Sequence, residues 1–267
     1  MRIAEAIDYE EVGEGPAILF VPGSYATPSA WRGVQNALPK GYRFVSTSQC
    51  GYGKTAETRS LADCGIEHNA AVVRAAAKRA GTPVHLVGHS WGALTALAAV
   101  LEGGIDVLSL TCFEANPWWP LAWKGRDDLI DDMRRMAAGF EEAVDRGDAD
   151  SCGIILDYWG EPGSFASMPP KAQDYCRSVA RANVLDWRGH REYALAAEDM
   201  RRLDVPTLFV RGSLANRAMV VITGALAEHA PQSRLEVVDG ANHFLVGTHP
   251  AACAAFLHDH IRSAVPG

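Results

Sequence analysis

Residues 84–101 read VHLVGHSWGALTALAAVL, a short apolar run followed by a glycine-flanked turn and a longer apolar run. The first run has the length of a buried strand, and the second has the composition of a buried helix. Between them lies G-x-S-x-G, from Gly88 to Gly92. Glycines let the backbone turn sharply, so the Ser90 hydroxyl is lifted clear of the strand end, and the helix N-terminus favours negative charge beside it. The context favours a nucleophile at Ser90 over an ordinary strand-to-helix turn.

Short apolar runs alternate with helical stretches along most of the chain. Strands are predicted at residues 17–21, 43–46, 84–87, 107–113, 207–210 and 235–238. An Ala-rich helix is predicted over 66–80, ending at Gly81, and a closing helix over 250–263. This alternation predicts an α/β fold, a mostly parallel sheet with helices on both faces.

The alternation stops between residues 117 and 202. Here eight apolar residues follow the i, i+3/i+4, i+7 spacing of an amphipathic helix: Leu129, Ile130, Met133, Met136, Ala137, Phe140, Ala143 and Val144. No run in this region has the quality of the predicted strands. We therefore predict a core made of residues 1–116 and 203–267, with an all-helical lid at 117–202.

Composition limits the possible partners. The 267 residues carry 25 Lys and Arg against 32 Asp and Glu, a formal net charge of −7. Nucleic-acid grooves need clustered cations, so we expect no nucleic-acid partner. Hydrophobic residues make up 48% of the chain, which is enough for a large core and excludes a disordered protein.

Cysteine usage and the lack of long apolar runs indicate the compartment. The six cysteines, at positions 50, 64, 112, 152, 176 and 253, form no C-x-x-C pair, which favours free thiols over zinc sites or disulfides. No apolar run is long enough to span a membrane, and the first residues do not resemble a secretory signal. We predict a cytoplasmic protein with no metal and no membrane partner.

Residues 48–55, SQCGYGKT, follow a predicted strand and end like a phosphate-binding loop. That motif requires Gly where Ser48 stands, and no clear helix begins at Thr55. We expect a packing turn here and no nucleotide cofactor.

With its Gly88–Gly92 turn, its helical insertion and a histidine near the end, the chain resembles the α/β-hydrolase superfamily over nearly its whole length. The resemblance implies an eight-stranded sheet, a helical lid, and cofactor-free chemistry of the esterase or lactonase type. A serine nucleophile also needs a base. His243, in DGANHF (239–244), follows the last predicted strand, where the family places its catalytic histidine. The alternative is a solvated loop histidine.

The other histidines are weaker candidates for the base. His89 flanks the turn and is expected to orient it. Four more lie on predicted helices and are interpreted as surface residues: His229, His249, His258 and His260.

The family binds the oxyanion with two backbone N–H groups. The resemblance assigns one to Trp91, directly after the nucleophile. It assigns the other to Ser24, in Val21-Pro22-Gly23-Ser24-Tyr25, although Pro22 departs from the His-Gly pattern common in relatives.

The acid that orients the histidine is the main departure from the family. Relatives usually carry an Asp in the loop after the strand at 207–210, but residues 211–217 read RGSLANR, without Asp or Glu. Asn216 could accept the imidazole N–H, at a cost of about 10⁴ in rate. Glu114, at the end of the preceding strand, is the other candidate, since some relatives keep their acid there. We favour Glu114, with a structural carboxylate at the start of the lid as the alternative.

Five of the seven tryptophans lie in the predicted lid, at 118, 119, 123, 159 and 187. Aromatic residues above the end of a sheet would form an apolar roof over a pocket. We predict that Tyr25, Trp118, Trp119, Trp123 and Trp159 contribute to the pocket and that the substrate is a small, uncharged, largely apolar molecule. The alternative is that the tryptophans only join the lid helices.

These inferences predict a serine hydrolase that cleaves an ester, lactone or related acyl bond through Ser90, His243 and Glu114. Carbon–carbon bond hydrolysis and perhydrolysis use the same constellation and stay open. So does a ligand-binding homologue with weak turnover, which the missing acid in the 211–217 loop favours. Oligomeric state is not predicted.

Overall fold

A computed structural model describes residues 6–264. Its centre is a seven-stranded sheet with the spatial order β1-β3-β2-β4-β5-β6-β7. The strands are β1 Tyr9–Val12, β2 Ala17–Val21, β3 Arg43–Thr47, β4 Val84–His89, β5 Val107–Phe113, β6 Thr207–Gly212 and β7 Ser233–Val238. All neighbouring pairs are parallel except β1 with β3. The α/β class predicted from the alternating pattern is confirmed.

The expected number of eight strands is wrong by one. The edge strand β1 pairs with β3, and no strand lies beyond it within residues 6–264. Strand β1 was not among the predicted strands, because its sequence YEEV exposes three of its four residues and so carries no apolar run.

Eleven α-helices are found in the described residues: α1 Arg32–Ala37, α2 Glu67–Ala80, α3 Trp91–Glu102, α4 Trp119–Trp123, α5 Asp127–Arg146, α6 Cys152–Trp159, α7 Pro170–Ser178, α8 Ala180–Glu192, α9 Arg217–His229, α10 Leu245–Thr248 and α11 Pro250–Ala264. They cover both faces of the sheet. On β2, Leu19 packs with the cluster that contains α2 and α3. Its neighbour Phe20 packs with the cluster of α1 and α11. A strand buried on both faces reads as a continuous apolar run, which is why β2 was easy to predict.

Helices α4–α8 all lie between β5 and β6, and we call them the helical insertion. No strand is present between residues 114 and 206. The predicted amphipathic helix corresponds to α5, whose eight buried residues are the ones that the spacing selected. The lid boundaries at 117 and 202 stay a prediction.

The Gly-Lys-Thr segment folds around the buried carboxylate of Asp8. The Ser48 hydroxyl and the Lys54 amide both donate to Asp8 Oδ2, at 2.9 and 3.2 Å. The segment is thus a turn whose hydroxyl at Ser48 and amide at Lys54 are engaged by an internal carboxylate.

All six cysteines are free and buried. In the part of the chain that the structure describes, no helix has the length and apolar character needed to span a membrane.

Candidate active site

Ser90 lies at the sharp turn between β4 and α3. Its backbone has φ 54° and ψ −125°, a conformation that residues with side chains rarely adopt. The flanking glycines make the turn possible, because a Cβ at Gly88 would overlap the backbone of Ala93 and one at Gly92 would overlap the carbonyl of Pro22. The G-x-S-x-G spacing is therefore a steric requirement of this turn.

Ser90, His243 and Glu114 form one chain of hydrogen bonds. Ser90 Oγ lies 2.9 Å from His243 Nε2, and His243 Nδ1 lies 2.6 Å from Glu114 Oε2. All three side chains are buried. Because a carboxylate can only accept, the Nδ1–H donates to Glu114, which leaves a lone pair on Nε2 for the serine proton.

Glu114 is held rigidly at the end of β5. Its amide donates to the Val210 carbonyl on β6 at 2.8 Å, and its Oε1 accepts from the Gly212 amide at 2.8 Å. Its φ of 48° is, like that of Ser90, in the region that side chains disfavour. A carbonyl and an amide of the neighbouring strand β6 thus hold the residue so that its carboxylate faces His243.

Asn216, the other candidate for the acid, does not contact the histidine. Its Oδ1 accepts from the Met219 amide at 2.9 Å, which caps the N-terminus of α9. Its Nδ2 donates to the Tyr158 carbonyl at 3.2 Å. Both ends of the Asn216 amide are therefore engaged elsewhere.

His89 supports the backbone of His243. Its Nε2–H donates to the His243 carbonyl at 2.8 Å, and the two rings are 4.9 Å apart. Burial, together with the neighbouring His243, lowers the pKa of His89 to about 3, so its ring is neutral. His89 thus links the turn at Ser90 to the loop that carries His243. The structure contradicts the interpretation of His260 as a surface residue, since its ring is buried beside the Leu110 and Pro206 carbonyls.

The two predicted oxyanion donors flank Ser90. Trp91 is the first residue of α3, so its N–H has no acceptor within the helix. The backbone before Ser24 packs directly on the nucleophile, since a Cβ at Gly23 would lie 2.9 Å from Ser90 Cβ. The Ser24 hydroxyl points elsewhere and donates to Asp186 Oδ2 at 2.5 Å. The backbone amide of Ser24 is therefore the group of this residue that could donate to an oxyanion.

The model of the alpha/beta hydrolase family matches residues 18–256. The chain belongs to this family. It is 26% identical to a pimeloyl-acyl-carrier-protein methyl ester esterase from Methylococcus capsulatus, a match that covers 96% of this chain and 98% of that one.

Solved structures of other proteins share the fold. MenH from S. aureus has a TM-score of 0.76 at 13% identity, with 96% of this chain and 98% of that chain covered. A thermophilic esterase from Thermogutta terrifontis has a TM-score of 0.75 at 20% identity, with 97% and 93% covered. Membership of the alpha/beta hydrolase family makes the protein an enzyme of the hydrolase type.

A cavity of about 250 Å³ lies above Ser90 and His243 in this α/β hydrolase. Of the five predicted pocket residues, Tyr25 and Trp159 line it, and the insertion adds Trp187, whose ring stacks on Trp159 at 6.3 Å between centroids. Trp118, Trp119 and Trp123 are not part of the lining. Trp119 and Trp123 pack on each other, and Trp118 packs against the ring of His190. Within residues 6–264, no group of three His, Cys, Asp or Glu could hold a metal ion.

A buried carboxylate that was not predicted from the sequence, that of Asp186, lines the cavity. Asp186, on α8 of the hydrolase's insertion, is 2% exposed and pairs with the buried Arg59 of the core at 2.5 Å. It also accepts from the hydroxyls of Ser24 and Tyr52 and from Asn183 Nδ2. Burial alone would lower the pKa of Arg59, but Asp186 and Glu57 outweigh burial and raise it above its usual value.

Proposed function

We propose that this protein is a serine hydrolase that cleaves a carboxylic ester or related acyl bond. The observation that carries the proposal is the hydrogen-bonded chain from Ser90 through His243 to Glu114 at the strained turn. Nucleophile, base and orienting carboxylate are thereby within direct reach of one another, which is the arrangement that activates an alcohol.

Ser90 Oγ attacks the substrate carbonyl while His243 Nε2 takes its proton. The Glu114 carboxylate fixes the tautomer of His243 and stabilises the imidazolium that forms. The amides of Ser24 and Trp91 donate to the oxyanion. His243 then protonates the leaving group, which departs and leaves an acyl-Ser90 ester. Water, activated by the same histidine, releases the acid and restores the serine.

Ester cleavage is favoured over the other reactions of this constellation by the curated relative, whose name describes a methyl ester esterase and which matches nearly the full length. The cavity lining is mostly apolar and holds no Lys or Arg. We therefore assign a small, neutral substrate to the site. Carbon–carbon bond hydrolysis and perhydrolysis are the alternative reactions, to be assayed after ester cleavage.

Labelling with a fluorophosphonate tests the nucleophile. We expect fast, stoichiometric modification of the wild type at Ser90 and none in Ser90→Ala, with a matched Ser109→Ala control that labels normally. Hydrolysis of short-chain methyl and p-nitrophenyl esters, lost in Ser90→Ala, then tests the reaction. An inert Ser90 in the folded protein would instead support a ligand-binding homologue.

A further inference from the structure

Helix α8 presents one face to the cavity, and this face is polar at both ends. Asn183, Asp186, Trp187 and His190 all line the cavity, and their spacing of i, i+3, i+4 and i+7 places them on one side of the helix. Trp187 is the apolar centre of this face. Asn183 and His190 lie two turns apart, roughly 10 Å along the helix axis.

His190 carries a buried hydrogen-bond acceptor without a donor. Its Nε2 lies 2.6 Å from the Asn116 carbonyl, which can only accept, so Nε2 bears the proton. Burial lowers the pKa of His190 to about 4, which keeps the ring neutral and leaves a lone pair on Nδ1. This nitrogen is buried and has no partner among the described residues.

Asn183 carries a second such acceptor. Its Nδ2 donates to Asp186 at 3.0 Å, which fixes the orientation of the amide. Its Oδ1 is then an acceptor, and it too is buried without a partner in residues 6–264. Asp186 itself is already saturated by four donors, from Arg59, Ser24, Tyr52 and Asn183.

Three further buried polar atoms belong to residues of the same cavity and have no partner in the described range. Two are the donors Trp91 Nε1 and the Tyr25 hydroxyl, and the third is the acceptor Asn116 Oδ1, which lies outside α8. A buried polar group without a partner costs about 1–3 kcal/mol, so several around one cavity indicate a ligand that satisfies them. An anion would meet no cation here, since no Lys or Arg lines the cavity.

We propose that the substrate is a neutral ester that carries a hydrogen-bond donor, a hydroxyl or amide N–H, which binds the free acceptors of α8 at His190 and Asn183. This rests on the proposed function, since it specifies what the acyl or alcohol part of the ester contains. The site thus selects against plain aliphatic esters, because these leave the buried acceptors unsatisfied.

The test compares matched substrates. Methyl butanoate is compared with its 2-, 3- and 4-hydroxy derivatives, with methyl 3-methoxybutanoate, which keeps the oxygen but lacks the donor, and with N-acetylglycine methyl ester for the amide donor. We expect at least one donor-bearing ester to exceed methyl butanoate by tenfold or more in kcat/KM, and the methoxy ester not to do so.

Variants test whether the preference for donor-bearing esters depends on His190. His190→Phe is expected to abolish it, His190→Gln to restore part of it, and Trp118→Phe, which touches His190 from outside the lining, to keep it. Equal kcat/KM for plain and donor-bearing esters in the wild type, as a trapped water at the acceptors would produce, overturns the proposal and leaves the esterase intact.

Binding separates this proposal from the proposed function. Methyl butanoate, its three hydroxy derivatives and N-acetylglycine methyl ester are titrated into the Ser90→Ala protein by calorimetry, so that no turnover is needed. Tighter binding of a donor-bearing ester than of methyl butanoate, reduced in Ser90→Ala/His190→Phe, supports the polar site even if the wild type cleaves no ester. Affinities that do not distinguish these esters overturn it.

Discussion

Glu114 and Asp186 are both buried carboxylates, but they lie in different regions and hold different partners. Asp186 lines the cavity, whereas Glu114 lies behind His243 and is not part of the lining. Glu114, on the core strand side, is hydrogen-bonded to an imidazole and a backbone amide. Asp186, on the helical insertion, is paired with a guanidinium and three neutral donors. An imidazole can take up a second proton and become charged, whereas a guanidinium is charged throughout. Glu114 is therefore placed to stabilise a charge that forms on His243 in the proposed reaction, and Asp186 can only fix positions.

The two carboxylates also differ in which parts of the structure they connect. Glu114 connects adjacent strands of one sheet. Asp186 connects α8 to the loop of Arg59 and to Ser24, so one side chain holds both the insertion and the proposed oxyanion loop. Removing the first should cost turnover, and removing the second should cost stability.

The largest expected effect is that of Glu114→Gln on turnover. Gln donates an N–H to His243 Nδ1, which moves the ring proton to Nε2 and leaves no base for Ser90. We expect kcat to fall by about 10⁴, as for the equivalent change in an Asp triad, with little change in the free energy of unfolding. Kinetics on a cleaved ester and urea denaturation measure the two quantities. Loss of stability without a specific loss of kcat would make Glu114 a structural carboxylate.

Asp186→Asn should have the opposite pattern of effects, with a larger loss of stability and a smaller loss of kcat. Arg59 stays buried without its main counter-ion, so we expect a loss of about 3 kcal/mol in the free energy of unfolding and a smaller loss of kcat than Glu114→Gln produces. Asp174→Asn is the matched control, since its ion pair with Arg177 is exposed and such pairs contribute about 0–1 kcal/mol. Equal destabilisation by the two substitutions would show that the buried pair has no special weight.

His190, on the same helix as Asp186, should contribute to the pH dependence of stability. Its folded pKa of about 4 lies below the usual 6.5, so the unfolded chain binds the proton more readily. Stability is therefore unaffected by this group above pH 6.5 and falls as the pH decreases from 6.5 to 4. His190→Gln should reduce that slope by up to about 1.4 kcal/mol per pH unit. Unfolding free energies at pH 7.5, 6 and 5 test this, with no change in slope expected above pH 7.

Asn216→Ala should have the smallest effect. It removes the cap of α9, which costs about 1 kcal/mol in the free energy of unfolding, and it should change kcat less than twofold. Denaturation and ester kinetics are again the measurements. A collapse of kcat in this variant would transfer the orienting role from Glu114 to the loop after β6.

The parts of the fold that were predictable are those that local physics determines. Strands buried on both faces read as apolar runs, and the glycines around Ser90 are required by close backbone contacts. The edge strand β1 was not predicted because three of its four residues are exposed to solvent.

The candidate site was predictable in part. Ser90, His243 and Glu114 follow strand ends, and the carboxyl ends of parallel strands meet at one edge, so the sequence could bring them together. Asp186 and Arg59 are 127 positions apart, and each read alone is a charged residue of ordinary appearance. Trp118, Trp119 and Trp123 were predicted to contribute to the pocket but lie outside its lining. Their sequence positions could not show this, because indole rings pack equally well between helices.

The six enclosed thiols give the protein a built-in reporter of unfolding. Burial raises the pKa of Cys176 and Cys253 to about 12 and that of Cys152 to about 11, so these sulfurs stay protonated at neutral pH as well as shielded. Since the thiolate is the reactive form, a disulfide reagent such as dithionitrobenzoate has little to react with in the native enzyme. Each opening event exposes new sulfur, and the colour that develops records how often the molecule opens.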